Sequence, residues 1–428
     1  MVTQNLLSAQ EVRNHCKAND CWIVVGEKVW DFTQFASVHP GGETVIFQHA
    51  GHDATHQFYQ VHSDGLIENS LPSSKHVGDL DPNSIDDAWR LRKQINHSIG
   101  GFGFRPRLMR DVTKVRTQCQ IQGVETSSPI MVAPAAMAKL AHELGEKGIA
   151  RAVAARNIIH CVATTASYSL EEIVSAAPDA KFFFQLYVHK DRSVTEKLLE
   201  RVWTAGVRTV MVTIDAPVPG KREADERVRT EQVISMPMTG TAARNDKSGS
   251  GLTRTTGGFI DSSLTWGDLP WLKKIWRGRR ILKGIQSVED AQIASQLGVD
   301  GIILSNHGGR NLDTSPPALL TLLELRNQEP AIFQKTEVYI DGGITRGTDV
   351  LKAICLGAKA VLIGLKFSDE PYLCFLTDSL VLQSELEIAM RLVGITELSQ
   401  AHPGLVNTKD IDHLMMTTNS ESGRLVKL

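Results

Sequence analysis

From residue 129 onward the chain repeats one rhythm: a short run of aliphatic and β-branched residues, a polar or glycine-containing exit, then an amphipathic stretch. The runs are PIMVAP, IIHCVATT, FFFQLYV, TVMVTID, RILKG, GIILSN, EVYIDGG and AVLIG. Strands that are apolar on both faces belong to parallel sheets covered by helices. Eight such strands, most followed by a helical stretch such as SVEDAQIASQLG or RGTDVLKAICLG, predict an α/β fold closed into a (β/α)8 TIM barrel. A doubly wound open sheet is the runner-up, but no Gly-rich dinucleotide fingerprint follows the first strand. One stretch breaks the rhythm. SMPMTGTAARNDKSGSGLTRTTGG, after the fourth strand, is a polar loop of unusual length.

Residues 1–80 have a different texture. CWIVVGEKVWDF reads as two strands around a Gly-Glu-Lys turn, and short helical pieces rich in Gly, Asp and His follow. This predicts a small α+β unit. LPSSKHVGDLDPNSIDD, with turn chemistry throughout, reads as connecting chain. A length of 428 residues suits two or three domains, placed at 1–80, with a linker over 81–103 and the barrel over 104–428.

Charge separates the halves as well. The net charge is −2, yet residues 1–80 hold nine Asp/Glu against four Lys/Arg, and seven of the fourteen histidines. No basic stripe or binding motif points to nucleic acid. No apolar run approaches the roughly 18 residues of a membrane span. The start MVTQNLLSAQEVRNH lacks the pattern of a signal or transit peptide, and six scattered cysteines show no paired metal spacing. A reducing compartment, the cytosol, is expected.

Chemistry in such a barrel gathers at the C-terminal strand ends. Those ends carry Ala135 and Ala136, Thr164 and Thr165, Gln185 and Tyr187, Thr213 and Asp215, Lys283, His307 and Arg310, Asp341 and Arg346. Any one could be structural, as Asp215 could cap a helix; the whole set has no purpose in a packed core. SNHGGR, residues 305–310, puts a titratable ring, two glycines and a fixed cation at one exit, a combination suited to anions and protons. In the first half His39 opens a Pro-Gly-Gly turn and His62 lies 23 residues on. That spacing admits two imidazoles on opposite faces of a haem. His49, His52 and His56 compete, and the last two, four apart, could share a helix face as metal ligands.

The segment containing DCWIVVGEKVWDFTQFASVHPGG, over roughly residues 5–80, resembles cytochrome b5. The resemblance implies haem b with His39 and His62 as axial ligands. With no open iron position, such a haem carries electrons, and its acidic surface would suit a basic, cytochrome c-like acceptor. The motifs IMVAPAAMAKLAHELGE, QLYV, TIDAPVPGKREAD, LKGI, SNHGGRNLD and DGGITRGTDVLKAICLGA, over about residues 104–398, resemble the FMN-dependent 2-hydroxy acid oxidases and dehydrogenases. The fusion of the two resembles the flavocytochrome b2 family, which implies oxidation of a small L-2-hydroxy acid, lactate favoured. Electrons would pass from FMN through haem b to an external acceptor. Members of that family often lie in the mitochondrial intermembrane space, the alternative location, and related barrels imply a homo-oligomer.

Roles follow for the exits. Arg310 suits the substrate carboxylate as a planar, permanently charged partner, and Arg222 in GKREAD resembles the family's second arginine. His307 is the candidate base, Asp215 would hold its imidazole, and Tyr187 can donate to substrate. Lys283 would place a cation near the flavin N1/C2 carbonyl. Gln185 and Thr213 can bond the flavin's polar edge, and Ala135, Thr164, Ser305 and Asp341 complete the expected cofactor contacts. The phosphate belongs to the loops after strands seven and eight: Gly342, Gly343, Arg346 and Gly364. Ala136 and Thr165 are candidate specificity positions; Thr165, smaller than the leucine or tryptophan of relatives, leaves room for a bulkier substrate. The competing readings are an FMN oxidase using oxygen and a haem-binding protein with a degenerate barrel.

Four departures from the family pattern stand out. Only about twenty residues separate GDLDP from GFGFRPRLMRDV, where the family has a longer helical segment with a substrate-contacting tyrosine. After strand eight the family's Gly-Arg-Pro-Phe is Gly364-Leu365-Lys366-Phe367. Ala163 stands where relatives often carry serine. EPYLCFLTDS is shorter than its counterpart.

Overall fold

The computed structural model describes residues 5–40, 42–47, 49–59, 62–63, 65–85, 101–140, 142–220, 234–243, 257–312, 314–364 and 371–415. Two compact units divide the chain, Met1–His97 and Ser98–Leu428.

The first unit is built on a mixed sheet in the order Leu6–Leu7, His76–Leu80, Lys28–Asp31, Asp20–Val25, Cys16–Lys17, with His52–Asp53 also paired to Asp20–Val25. The central hairpin turns through Gly26 and Glu27, both at positive φ (60° and 70°), so Lys28 is the first strand residue, opposite Val25. The stretch read as connecting chain is corrected here. His76–Leu80 is a strand between Leu6–Leu7 and Lys28–Asp31. Gly78 makes that possible, because a Cβ there would lie 2.3 Å from the Asn5 carbonyl oxygen. Cys21, Ile23, Val25, Trp30, Phe32, Ala36, Ile46 and Ile67 form the unit's buried core, with Phe35, Phe47 and Phe58 packed against it.

The second unit is the expected barrel. Its strands, in closed order, are β1 (Ile130–Val132), β2 (Ile159–Ala163), β3 (Lys181–Leu186), β4 (Thr209–Thr213), β5 (Arg279–Ile285), β6 (Gly301–Leu304), β7 (Glu337–Asp341) and β8 (Ala360–Ile363). All pair in parallel. The helices that follow them are α1 (Gly145–Arg156), α2 (Leu170–Ala176), α3 (Arg192–Thr204), α4 (Leu269–Ile275), α5 (Val288–Gln296), α6 (Ala318–Gln328), α7 (Gly347–Leu356) and α8 (Pro371–Val393). Local sequence sets their ends: Ser169 and Glu172 make a reciprocal capping box on α2, and Gly357 at φ 111° closes α7. No described helix is long and apolar enough to cross a membrane.

The hairpin Cys119–Ile121/Val124–Thr126 closes the N-terminal mouth. Ile121 enters the barrel core, and Gln122 bonds the Glu337 carboxylate, the Asp300 carbonyl and the Tyr339 hydroxyl, each at 3.0 Å. With that end sealed by side chains, the opposite end is the one open to chemistry.

Candidate active site and candidate haem site

Strand periodicity explains why the site lies where it does. Met131, Ile159, Cys161, Phe183, Met211, Ile281, Ile303, Tyr339, Ala360 and Leu362 share one apolar cluster inside the barrel. Side chains alternate along a strand, so two residues further on each strand again faces inward. Those positions are Ala133, Ala163, Gln185, Thr213, Lys283, Ser305, Asp341 and Gly364. An apolar core thus ends in a polar floor, and six of the predicted cofactor residues make it up.

The floor is a connected web. Gln185 accepts from the Thr164 N–H at 3.1 Å and donates to the Thr213 hydroxyl at 2.9 Å. The Thr164 hydroxyl works on backbone, donating to the Gln185 carbonyl at 2.6 Å and accepting from the Tyr187 N–H at 3.2 Å. Lys283, buried at 4% exposure, donates to the Ser305 hydroxyl at 3.1 Å and pairs with Asp341 at 3.0 Å. Burial pulls the Lys283 ammonium toward deprotonation, but Asp341 and Asp215 outweigh it and hold its pKa above the ordinary lysine range. Asp341 therefore steadies the lysine below the cofactor's expected place, and its other oxygen, Oδ1, is buried with no protein partner.

Above the floor stands an acid–base pair. His307 Nδ1 lies 2.9 Å from Asp215 Oδ1, and the His307 N–H donates to the Ser305 hydroxyl at 3.0 Å. Burial pushes the Asp215 carboxyl up, yet the bond to His307 and the charge of Lys283 prevail and set it below the usual aspartate range. Gly284 makes room for this arrangement: it sits at φ 110°, and a Cβ on it would come within 2.4 Å of Asp215 Cβ. His307, Gly308 and Gly309 all take positive φ, at 59°, 64° and 70°, a sharp turn that places the ring and exposes Arg310. Tyr187 is partly buried, near enough to Lys283 to interact with its charge.

Two helpers escaped the reading of the sequence. Asn311 donates to the Asp215 carbonyl at 2.8 Å, and Asn306 accepts from the Gly309 N–H at 3.1 Å while donating to the Pro316 carbonyl at 3.2 Å. Their signal was their place on either side of HGGR. Arg222 lies outside the described residues.

Arg346, expected at the phosphate, has a protein partner of its own. Its guanidinium is bound to Glu385 of α8, with Nε to Oε1 at 2.8 Å, and the same carboxylate takes the Gly347 N–H at 2.7 Å. Asp349 accepts the Thr345 and Arg346 N–H groups at 3.1 and 3.0 Å. The start of α7 is thus filled by two carboxylates, and Arg346 ties α7 to α8. The glycine turns remain open: a Cβ at Gly308 or Gly364 would meet nothing within 4 Å, and at Gly342 nothing closer than 3.6 Å. Gly343 follows at φ 76°. A buried cation, a hydrogen-bonding floor and open glycine turns fit a flavin ring and its phosphate tail.

In the first unit the His39 and His62 rings lie 6.2 Å apart between centroids. Metal–imidazole bonds of about 2 Å, with about 1 Å from nitrogen to ring centre, put two centroids about 6 Å apart across one ion. His39 Nδ1 is 3.2 Å from the Gly42 carbonyl, which leaves Nε2 for the metal, as ligating histidines are commonly arranged. Phe35 stands edge-on to His39 and Phe58 tilts against His62, continuous with the apolar core. The rival pair does not share a helix face, because His52 belongs to a strand and the next helix is Thr55–Tyr59. No cluster of three or more metal-binding side chains occurs among the described residues. The pair fits a haem iron.

The family of FMN-dependent dehydrogenases matches residues 84–408, and the cytochrome b5-like heme/steroid binding domain matches residues 8–81. The chain belongs to the FMN-dependent dehydrogenase family, with a cytochrome b5-like domain in front. It is 32% identical to the L-lactate dehydrogenase (cytochrome) of Wickerhamomyces anomalus over 95% of this chain and 80% of that one. The Saccharomyces cerevisiae enzyme of the same name is also 32% identical, over 94% and 79%. Glycolate oxidase of Spinacia oleracea is 36% identical over 79% of this chain and 93% of that one. Among solved structures, a mutant flavocytochrome b2 with benzoylformate superimposes with a TM-score of 0.68 at 33% identity, over 78% of this chain and 82% of that one. The Wickerhamomyces alignment runs over 468 residues, more than this chain possesses, so that family member carries several tens of residues with no counterpart here. The expected cofactors of this family pairing are FMN and haem b.

Proposed function

We propose that the barrel oxidises an L-2-hydroxy acid, L-lactate first, to the 2-oxo acid, and that the electrons leave through the haem domain to a cytochrome-type acceptor. The observation that carries this reading is the His307–Asp215 pair standing over Lys283 at the open end of the barrel. With Nδ1–H directed to Asp215, the ring presents Nε2 as an acceptor, and His307 takes a proton from the substrate there. Asp215, kept ionised, stabilises the imidazolium that results. Arg310 holds the substrate carboxylate, and the Tyr187 hydroxyl donates to the same molecule. Lys283 supplies fixed positive charge where electron density collects, and Asp341 keeps that lysine in place. Lys283 and the floor residues would hold FMN, which would supply a two-electron acceptor, and His39 and His62 would hold haem b, which would supply a one-electron relay.

Ala136 and Thr165 are proposed to line the space for the substrate's side chain. Thr165 is small, which favours testing longer and aromatic 2-hydroxy acids beside lactate. The resemblance to glycolate oxidases supports one alternative, transfer to oxygen with the haem idle. Self-association into a homo-oligomer is proposed on the same family footing, to be checked by light scattering.

The deciding experiment is the visible spectrum of the purified protein under anaerobic conditions, before and after L-lactate. Flavin bleaching followed by sharpened reduced-haem bands supports the series. Flavin bleaching with oxidised haem, and peroxide on admitting air, supports the oxidase. Haem without retained flavin would sink both.

A further inference from the structure

Glu146 lies in the first turn of α1, where a carboxylate suits the helix dipole. That explains an acidic residue but not a buried one, and Glu146 is only 1% exposed. Burying a carboxylate is costly unless hydrogen bonds repay it. Its Oε1 accepts from the Ala138 N–H at 2.9 Å, the Ser167 N–H at 2.9 Å and the Ser167 hydroxyl at 3.3 Å. Ala138 belongs to the loop after β1 and Ser167 to the loop after β2. One oxygen therefore joins two barrel loops that are separated by all of α1 and β2 in the sequence.

The same two loops are laced at neighbouring positions. The Met137 N–H donates to the Thr165 carbonyl at 3.1 Å, and the Lys139 N–H donates to the Ser167 hydroxyl at 3.1 Å. Ala136 and Thr165, proposed above to face the substrate's side chain, are each two residues from an amide that Glu146 holds. The second oxygen, Oε2, is buried without a protein partner, so the group is committed to the loops through Oε1 alone. A helix cap would bond amides of its own helix; this carboxylate bonds none of them that way.

We propose that Glu146 is a positioning residue for substrate selection. By tying the loop after β1 to the loop after β2, it fixes the separation of Ala136 and Thr165 and so the size of the 2-hydroxy acid side chain admitted between them. This rests on the reading of the barrel as a 2-hydroxy acid dehydrogenase. Glu146 touches neither the substrate nor the reacting atoms, so its loss acts on recognition more than on turnover.

The test uses the full-length protein as wild type, Glu146→Ala and Glu146→Gln. Amide hydrogen exchange is followed in segments 135–140 and 164–168, and anaerobic flavin reduction is measured with L-lactate and with an aromatic L-2-hydroxy acid. In Glu146→Ala both segments should exchange at least about tenfold faster, the equivalent of one net hydrogen bond. KM for lactate should rise by about the same factor, kcat should stay within about threefold, and the preference between the two acids should shrink. Glu146→Gln keeps an oxygen for both amides and should restore most of the exchange protection and most of the preference. Unchanged exchange in Glu146→Ala would overturn the clamp. Faster exchange with an unchanged preference, or a fall in kcat alone, would overturn the selective role. If wild type is not bleached by any 2-hydroxy acid, the activity reading fails instead, and the exchange arm still decides whether Glu146 ties the loops.

Discussion

Asp215 and His307 meet at 2.9 Å with unequal access to solvent: the Asp215 side chain is fully buried, whereas the imidazole retains 19% of its exposure. The carboxylate is thus a fixed electrostatic base plate, and the ring is the part that can reach a substrate. Asp215→Asn should lower kcat by about 10²–10⁴ with FMN content intact, measured by stopped-flow flavin reduction. Since the folded-state acidity of Asp215 is shifted below its ordinary value, the stability it contributes is present above the unfolded pKa of about 3.9. It is lost only as pH falls through the lower, folded value. An acid limb of activity near neutrality that survived in Asp215→Asn would therefore belong to another group.

Lys283 and Asp341 predict an opposed pair of potential shifts. Removing the Asp341 charge as Asp341→Asn leaves the buried ammonium less neutralised and should raise the midpoint potential of the bound flavin. Lys283→Met should lower it. The expected size is on the order of 30 mV, the two-electron equivalent of about 1.4 kcal/mol. A spectroelectrochemical titration of each variant reads it, and shifts of the same sign in both would exclude this arrangement.

The barrel was legible because each of its strands is apolar on both faces, and the polar floor was legible because the same alternation carries Gln185, Thr213, Lys283, Ser305 and Asp341 one step beyond the core. What escaped depends on distant parts of the chain meeting. Glu385 comes from α8 and captures Arg346, a pairing that no local motif announces. His76–Leu80 looked like connecting chain because Pro, Ser and Gly surround it, yet Gly78 lets it enter the sheet against Asn5. Asn306 and Asn311 act on backbone carbonyls and amides, and such roles leave no signature in residue type.

His39 and His62 are expected to be separable from the flavin chemistry. Substituting either by Ala should abolish the six-coordinate haem spectrum. Flavin reduction by substrate should stay within about twofold, since the barrel's acid–base set contains neither residue. Retention of the six-coordinate spectrum in His62→Ala would mean that another histidine is the ligand.

Arg346→Ala separates a structural strut from a phosphate ligand. The pair with Glu385 leaves Arg346 47% exposed, so its loss should cost no more than about 1 kcal/mol after solvent screening. FMN affinity, measured by fluorescence quenching on refilling the flavin-depleted protein, should change by less than about threefold. A drop near a hundredfold would return Arg346 to the phosphate.

His160, on the outward face of β2, is buried with Nδ1 unpartnered, and desolvation pushes its imidazole down from 6.5 to about 3. Well above pH 7 the ring is uncharged in both folded and unfolded chains, so it contributes no pH dependence there. Below about pH 6.5 the unfolded chain takes a proton that the native barrel refuses until about pH 3. Stability should therefore drain across that window by up to about 1.4 kcal/mol per pH unit from this one group. His160→Leu removes the titration while keeping an apolar side chain of similar size between strand and helices. The variant's urea midpoint should fall less steeply from pH 6.5 to pH 4 than that of wild type. Parallel slopes would mean that the native barrel accepts the proton at His160 without opening, and that its burial is less complete than the packing around Phe182 indicates.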